Sequence, residues 1–185
     1  MIEGVGLFGF LRRKGKTPES AIALAKKEAP RFPIRINDAV SFDLGRVAYG
    51  LFDGTEINAD DLLGEIDIVP KIVPGEDFKT YFLRIKPLVE EGLKKIAWLA
   101  KEDPEVMKIK VFGGYSNLAE HAKGYGFDIF EIRGDEERDH YYNKSLKYAK
   151  LGAKGKPFLE KIVGTRAEPK EILMSKETLI KRYYK

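Results

Sequence analysis

The chain has 185 residues, a length that supports one domain with a substantial core. Hydrophobic residues make up 43% and charged residues 34%, which is a globular composition and excludes a largely disordered chain. Cysteine is absent, which excludes disulfides, thiolate metal sites and cysteine nucleophiles. No stretch approaches the roughly 18 apolar residues that span a bilayer. We therefore expect one cytoplasmic domain, residues 1–185, with no transmembrane segment.

The net charge of +4 is unevenly distributed along the chain. Residues 140–185 contain twelve Lys and Arg against four Asp and Glu, a local +8, which leaves −4 for residues 1–139. Such a basic C-terminal segment could contact nucleic acid phosphates, although a solvated helix and tail would have the same composition. Glutamine is absent and Lys and Glu are abundant, as is typical of thermophile proteins.

The first half of the chain changes from helical to strand-like patterns. Residues 1–11 are apolar and Gly-rich and predict a strand and a turn. Thr17 and Pro18 predict a helix start, and the helix runs to residue 29. Alternating apolar residues then predict strands at 32–36, 40–47 and 64–69, with an Asp53-Gly54 hairpin turn between the last two. An antiparallel meander follows from this order.

The second half begins with the longest periodic segment. Apolar residues recur every three or four positions through residues 78–101, which predicts a helix that Pro87 should kink or split. Short strands are predicted at 108–112, 127–132 and 158–163. Helices are predicted at 117–124, with Asn117 as the N-cap, and at 136–151. The last twenty residues carry no clear pattern. The fold class is α/β (α+β), with a mixed, largely antiparallel sheet flanked by helices.

The order of these elements resembles the GNAT fold of CoA-dependent N-acetyltransferases. A local similarity lies in residues 116–127, where Asn117 follows a strand and Tyr125 precedes Gly126-Phe127. The resemblance implies acetyl-CoA or another acyl-CoA as cofactor and an acyltransferase activity. It also implies Glu65 or Asp67 as the base and Tyr125 as the acid. From the residues alone, the two carboxylates equally suit the solvated face of an antiparallel strand, and Tyr125 a half-buried ring.

The cofactor loop of this resemblance falls on residues 69–78. It implies that Val73, Gly75, Glu76 and Asp77 hold the cofactor, where active enzymes have a Gly-rich loop at a helix N-terminus. Only one glycine remains here, preceded by two prolines that lack amide donors and followed by two acids. The loop is therefore degenerate as an anion site. It is well suited to start a helix, because acidic residues at that end complement the helix dipole.

A second resemblance is local and covers residues 51–68. The run Asp53-Gly54-Thr55-Glu56-Ile57, followed by residues 60–66, is similar to the YkoP-like domain. It implies an alternative function, a non-catalytic module that contacts nucleic acid or a protein partner through the basic C-terminal third. No metal is expected, because the two histidines lack a ligand spacing such as H-E-x-x-H and the acidic residues 53–61 lack the calcium-loop pattern.

Overall fold

The computed structural model describes residues 33–46, 54–55, 61–68, 73, 76–132, 134–136, 138–143 and 168–185. These residues form six strands, three α-helices with defined bounds, one 3₁₀ turn, and a further helical stretch at 135–136 and 138–143. The strands are β1 (Ile34–Arg35), β2 (Val40–Arg46), β3 (Leu62–Ile68), β4 (Val111–Ser116), β5 (Asp128–Phe130) and β6 (Lys170–Ser175). The helices are α1 (Phe78–Glu102), α2 (Ala119–Tyr125) and α3 (Lys176–Tyr183), and the 3₁₀ turn is Val106–Lys108.

All six strands belong to one sheet in the order β1-β2-β3-β4-β6-β5. Neighbouring strands are antiparallel except β3 and β4, which are parallel. A parallel pair needs a long crossover, and α1 provides it. The predicted mixed, largely antiparallel sheet with flanking helices is thus confirmed. The meander strands and β4 share one sheet, as the predicted order requires.

The main core lies between α1 and one face of the sheet. Alternate residues of β2 point to this face, because successive side chains of a strand lie on opposite sides. They meet the apolar stripe of α1, in which Ile96 and Ala97 are fully buried. Gly92 allows close contact, since a Cβ there would lie 2.8 Å from Cγ2 of Val40. The strand residues of this core include Val40, Phe42, Leu44, Ile66, Phe112, Ile172 and Met174.

The opposite face of the sheet carries a smaller apolar cluster. Leu63, Val111 and Leu173 are buried together there, and Phe130 packs against them. We call this side of the sheet the second face. By strand alternation it also carries the side chains of Glu65 and Asp67, which follow Leu63 at intervals of two. Both faces of the central strands are therefore covered by apolar contacts.

Two details of the helices differ from the sequence-based expectation. Pro87 does not split α1, which is continuous over 25 residues. Pro87 lies on the exposed side of the helix, where the carbonyl group it leaves unpaired can bind water, while Ile85 and Val89 stay buried in the core. The expected Asn117 cap is wrong. The N-cap of α2 is Leu118, whose amide donates to Ser116 Oγ at 3.0 Å.

Other boundaries shift by a few residues. The strand expected at 108–112 begins at Val111, because residues 106–108 form a 3₁₀ turn. Gly54 has φ +83°, a left-handed conformation that suits the predicted Asp-Gly turn. The strand and turn expected at 1–11, the helix at 17–29 and the strand at 158–163 lie outside the described residues. The helix expected at 136–151 is described only as far as residue 143, and its described residues are helical. Within the described ranges, no helix is long and apolar enough to cross a membrane.

Candidate functional site

The start of α1 is closed by the side chain of Asp77. This residue is the N-cap, and its Oδ1 accepts a hydrogen bond from the Thr80 amide at 2.8 Å. The Asp77 carbonyl accepts from the Tyr81 amide at 2.9 Å. A carboxylate at this position satisfies an amide that has no partner within the helix and also complements the helix dipole. The expectation that the acidic residues of this loop suit a helix start is confirmed for Asp77, which is the N-cap.

Glu76 occupies the same end of the helix and binds Arg84. Two parallel hydrogen bonds join the groups, from Arg84 Nε to Oε1 at 2.8 Å and from Arg84 Nη2 to Oε2 at 2.7 Å. The Glu76 side chain is only 4% exposed, while that of Arg84 is 33% exposed. A bidentate pair of this kind fixes both orientation and charge. A carboxylate of the chain itself therefore lies beside the helix N-terminus.

The electrostatics of this pair are mutually reinforcing. The hydrogen bond from Arg84 lowers the pKa of Glu76 below its ordinary value, against the opposing effect of burial. The hydrogen bond to Glu76 in turn raises the pKa of Arg84. The guanidinium also lies 5.7 Å from the centre of the Tyr81 ring. Burial raises the pKa of Tyr81 to about 12, so its hydroxyl stays protonated at neutral pH.

Several of the residues predicted to hold a cofactor make hydrogen bonds within the turn and the helix start. Glu76 and Asp77 make the contacts just described, and the Glu76 amide donates to the Val73 carbonyl at 3.1 Å. The Val73 side chain is 48% exposed. Gly75 lies outside the described residues. The amides of Glu76, Thr80 and Tyr81 therefore already donate within the chain.

The two predicted base residues lie together on the second face. Glu65 is opposite Asp43 on β2 and Gly113 on β4, and Asp67 is opposite Ser41. Both side chains are half-buried and both make interactions with other groups. The structure therefore places these carboxylates at the junction of an antiparallel and a parallel strand pair.

The parallel strands are joined over a short length at this junction. Their register covers three pairs and ends at Glu65 and Gly113, although each strand continues for three more residues. A Cβ on Gly113 would lie 2.0 Å from the Ile172 carbonyl oxygen, and one on Gly114 would lie 2.8 Å from that of Ile66. Glycine is required here because β4 is held closely between its two neighbours.

Tyr125 ends α2 and packs against the main core. Gly126 follows with φ +96°, its amide donates to the Lys123 carbonyl, and the Phe127 amide donates to that of Ala122. This pair of bonds is the Schellman motif, in which glycine is favoured. The Tyr-Gly-Phe run thus has a structural role as a helix end.

The C-terminal helix α3 holds this end of α2 in place. The Tyr183 hydroxyl donates to the Tyr125 carbonyl at 2.8 Å, and Arg182 Nη1 donates to the Gly124 carbonyl at 3.2 Å. A cation at a helix C-terminus also suits the dipole. Burial raises the pKa of the Tyr125 hydroxyl, with smaller contributions from Glu90 and Tyr183. Tyr125 therefore stays protonated at neutral pH.

The predicted acid and bases lie on different sides of the sheet. Tyr125 packs with the main core, whereas Glu65 and Asp67 belong to the second face. The structure brings Glu65 and Asp67 together on one strand, and Glu76 and Asp77 together at one helix end. It does not bring Tyr125 onto the face that carries the carboxylates.

An aromatic stack on β4 was not anticipated from the sequence. The rings of Tyr115 and Tyr141 are stacked with centroids 3.6 Å apart, and His140 meets Tyr141 edge to face at 5.2 Å. Tyr115 follows Val111 at an interval of four on the strand and so lies on the second face. Residues 138–143 are therefore anchored over the second face. The alternation of β4 was a usable signal for Tyr115, but nothing in the sequence pointed to Tyr141.

Several cations of the basic C-terminal segment have internal partners. The Lys170 ammonium pairs with Glu131, and that of Lys176 donates to the Met107 carbonyl at 3.0 Å. Lys181 and Lys185 are exposed. The described part of this segment therefore both stabilises the fold and contributes positive charge to the surface.

No group of three or more His, Asp and Glu residues in the described ranges is placed to hold a metal ion. The family model of the YkoP domain matches residues 47–183, more than half of the chain. Comparison with curated proteins and with solved structures gives no significant match.

Proposed function

We propose a binding function, and not acyl transfer, for this chain, which belongs to the YkoP domain family. The observation that carries the proposal is the occupancy of the α1 N-terminus. Asp77 caps the Thr80 amide, and Glu76 is held there by Arg84 with only 4% of its side chain exposed. A CoA pyrophosphate at this position would be repelled by the Asp77 carboxylate, and Arg84, the nearby cation, is already paired with Glu76.

The separation of the candidate acid and bases also supports a binding function. Proton transfer requires each group within about 3 Å of the atom it serves, or one water molecule away. Tyr125 is fixed at the end of α2 through its own carbonyl and packs with the main core. A single substrate between Tyr125 and Glu65 would have to reach through the plane of the sheet.

Thermal unfolding with and without acetyl-CoA tests the proposal. A ligand at ~100 times its dissociation constant stabilises the native state by roughly 2.7 kcal/mol. We expect no shift in the midpoint at millimolar acetyl-CoA for the wild type. A midpoint that rises with acetyl-CoA, and no longer rises in Gly75→Asp, would contradict the binding-module proposal. The Gly75 substitution serves as the control because it adds a charge to the loop and leaves the residues Glu76 and Arg84 themselves unchanged.

A second candidate function, a CoA-dependent acyltransferase, is favoured by one observation. The strand that carries Glu65 and Asp67 leads into the long helix, and its registered pairing with β4 ends at Glu65, one of the two candidate bases. In this alternative Val73, Gly75, Glu76 and Asp77 would hold the acyl-CoA, and Tyr125 would protonate the leaving thiolate.

Thiol release separates the two functions directly. An acyltransferase releases free CoA from acetyl-CoA in the presence of an amine acceptor, and Glu65→Gln or Asp67→Asn lowers that rate while leaving cofactor binding intact. The binding-module proposal predicts that the wild type releases CoA no faster than either variant, with any amine tested.

A further inference from the structure

The outer side of α1 carries an exposed tryptophan among lysines. Trp98 is the chain's only tryptophan and is 47% exposed. The Lys95 ammonium lies 4.4 Å from the centre of its ring. Lys94 and Lys101, four residues before and three after Trp98, are exposed on the same side of the helix. Residues 94–101 contain three lysines and no acid.

A second ring joins this surface from the C-terminal helix. Glu102 follows Trp98 by one helical turn, and its Oε1 accepts a hydrogen bond from the Tyr184 hydroxyl at 2.6 Å. This bond holds the Tyr184 ring, which is 38% exposed, beside the outer side of α1. Lys181 and Lys185 flank Tyr184 and are exposed. We call the set Lys94, Lys95, Trp98, Lys101, Tyr184 and Lys185 the Trp98 surface.

We propose that the Trp98 surface binds single-stranded nucleic acid, which names the partner class of the binding module above and rests on that function. Aromatic rings that bases can stack on, spaced among cations that neutralise phosphates, are the two features by which proteins hold single strands. The Lys95 ammonium lies over one face of the Trp98 ring, so a base that stacked on this face would take its place, and the displaced ammonium would be close to the phosphate of that nucleotide. A protein partner is disfavoured, because lysine is depleted from protein–protein interfaces whereas nucleic acid interfaces are strongly positive.

Trp98 itself reports the interaction, because its emission is the only tryptophan signal of the chain. Titration with an oligothymidylate of about 12 nucleotides, within the usual range of site sizes, should quench this emission to a plateau. The logarithm of the affinity should fall linearly with the logarithm of salt concentration, with a slope of about −0.7 for each phosphate neutralised.

Variants locate the site when the labelled oligonucleotide is followed by fluorescence anisotropy. Trp98→Ala should weaken binding roughly 5- to 150-fold, the range for loss of one stacked base, and Trp98→Phe should retain most of the affinity. Lys94→Glu should reduce the salt slope. Met107→Ala, at an equally exposed apolar residue, and Lys79→Glu, at the other end of α1, are the matched controls and should leave affinity nearly unchanged.

Four results overturn the inference. One is the absence of Trp98 quenching in the wild type. Another is equal affinity of Trp98→Ala and Met107→Ala for the oligonucleotide. Alternatively, duplex DNA of the same length binds as tightly as the single strand, or polyglutamate quenches Trp98 as strongly, which identifies an acidic protein partner. Failure here leaves the binding-module proposal intact as long as acetyl-CoA does not bind. Binding of acetyl-CoA overturns that proposal whatever the oligonucleotide does.

Discussion

Asp77→Ala should destabilise the fold through the start of α1. The substitution removes the acceptor that lies 2.8 Å from the Thr80 amide and the negative charge at the N-terminus of a 25-residue helix. Loss of an N-cap costs about 1 kcal/mol of stability. Part of this cost, about 0.3–1 kcal/mol, comes from loss of the negative charge at an exposed helix N-terminus. For a chain of this length, the unfolding midpoint should fall by roughly 2–4 °C.

Asp77→Asn separates the two contributions. Its amide oxygen still accepts from Thr80, so only the charge is lost, and we expect a smaller fall in the midpoint than for Asp77→Ala. Circular dichroism during heating, with urea unfolding as the second measurement, gives both free energies. The reasoning would be refuted if Asp77→Ala stayed within ~0.5 kcal/mol of wild type, the range of ordinary surface substitutions, or if Asp77→Asn were equally damaging.

Two further predictions concern the Glu76–Arg84 pair and the centre of the sheet. Because Arg84 lowers the folded-state pKa of Glu76, the pair stabilises the fold above the ordinary carboxyl value of 4.5, and this stabilisation is lost as pH falls through the folded-state pKa. Midpoints measured against pH should therefore show Glu76→Gln below wild type at neutral pH, with the gap closing in acid. Gly113→Ala should cost more than ~3 kcal/mol by overpacking against the Ile172 carbonyl. Gly124→Ala, where a Cβ meets nothing within 4 Å, should be neutral or stabilising by up to ~1 kcal/mol. Equal stabilities for the two alanine variants would show that β4 can move aside.

The long helix and the meander could be predicted because their signals are local. Apolar spacing located α1 to within one residue, and Asp103 is its C-cap, with its amide donating to the Leu99 carbonyl. Alternation located β2 and β3 within two residues. These patterns depend on one element burying one face, which a sequence shows directly.

The C-terminal strand could not be predicted because it is covered on both faces. β6 lies between β4 and β5 and buries Ile172, Leu173 and Met174 in succession. A strand buried on both sides loses the alternation that identifies an exposed one. The short helix α3 depends on its packing against α1, a contact between distant parts of the chain, so its residues carry little local signal.

The candidate site was predictable in its parts and not in its arrangement. The acids at the start of α1 were recognisable, but the pairing of Glu76 with Arg84 spans eight residues and arises from the path of the turn before the helix. The bond from Tyr183 to the Tyr125 carbonyl joins residues 58 apart. Exposure of Trp98 follows from its angular position on α1, which the sequence shows, although Tyr184 beside it follows only from the packing of α3.

Amide spectra of isotope-labelled protein during titration with acetyl-CoA test the central claim most directly. The account predicts that the Thr80 amide and the Arg84 Nε–H resonances stay unchanged, because both donors are held by carboxylates of the chain. Saturable shifts of these two resonances would contradict it, since they would show the cofactor displacing Asp77 and Glu76 from the start of α1.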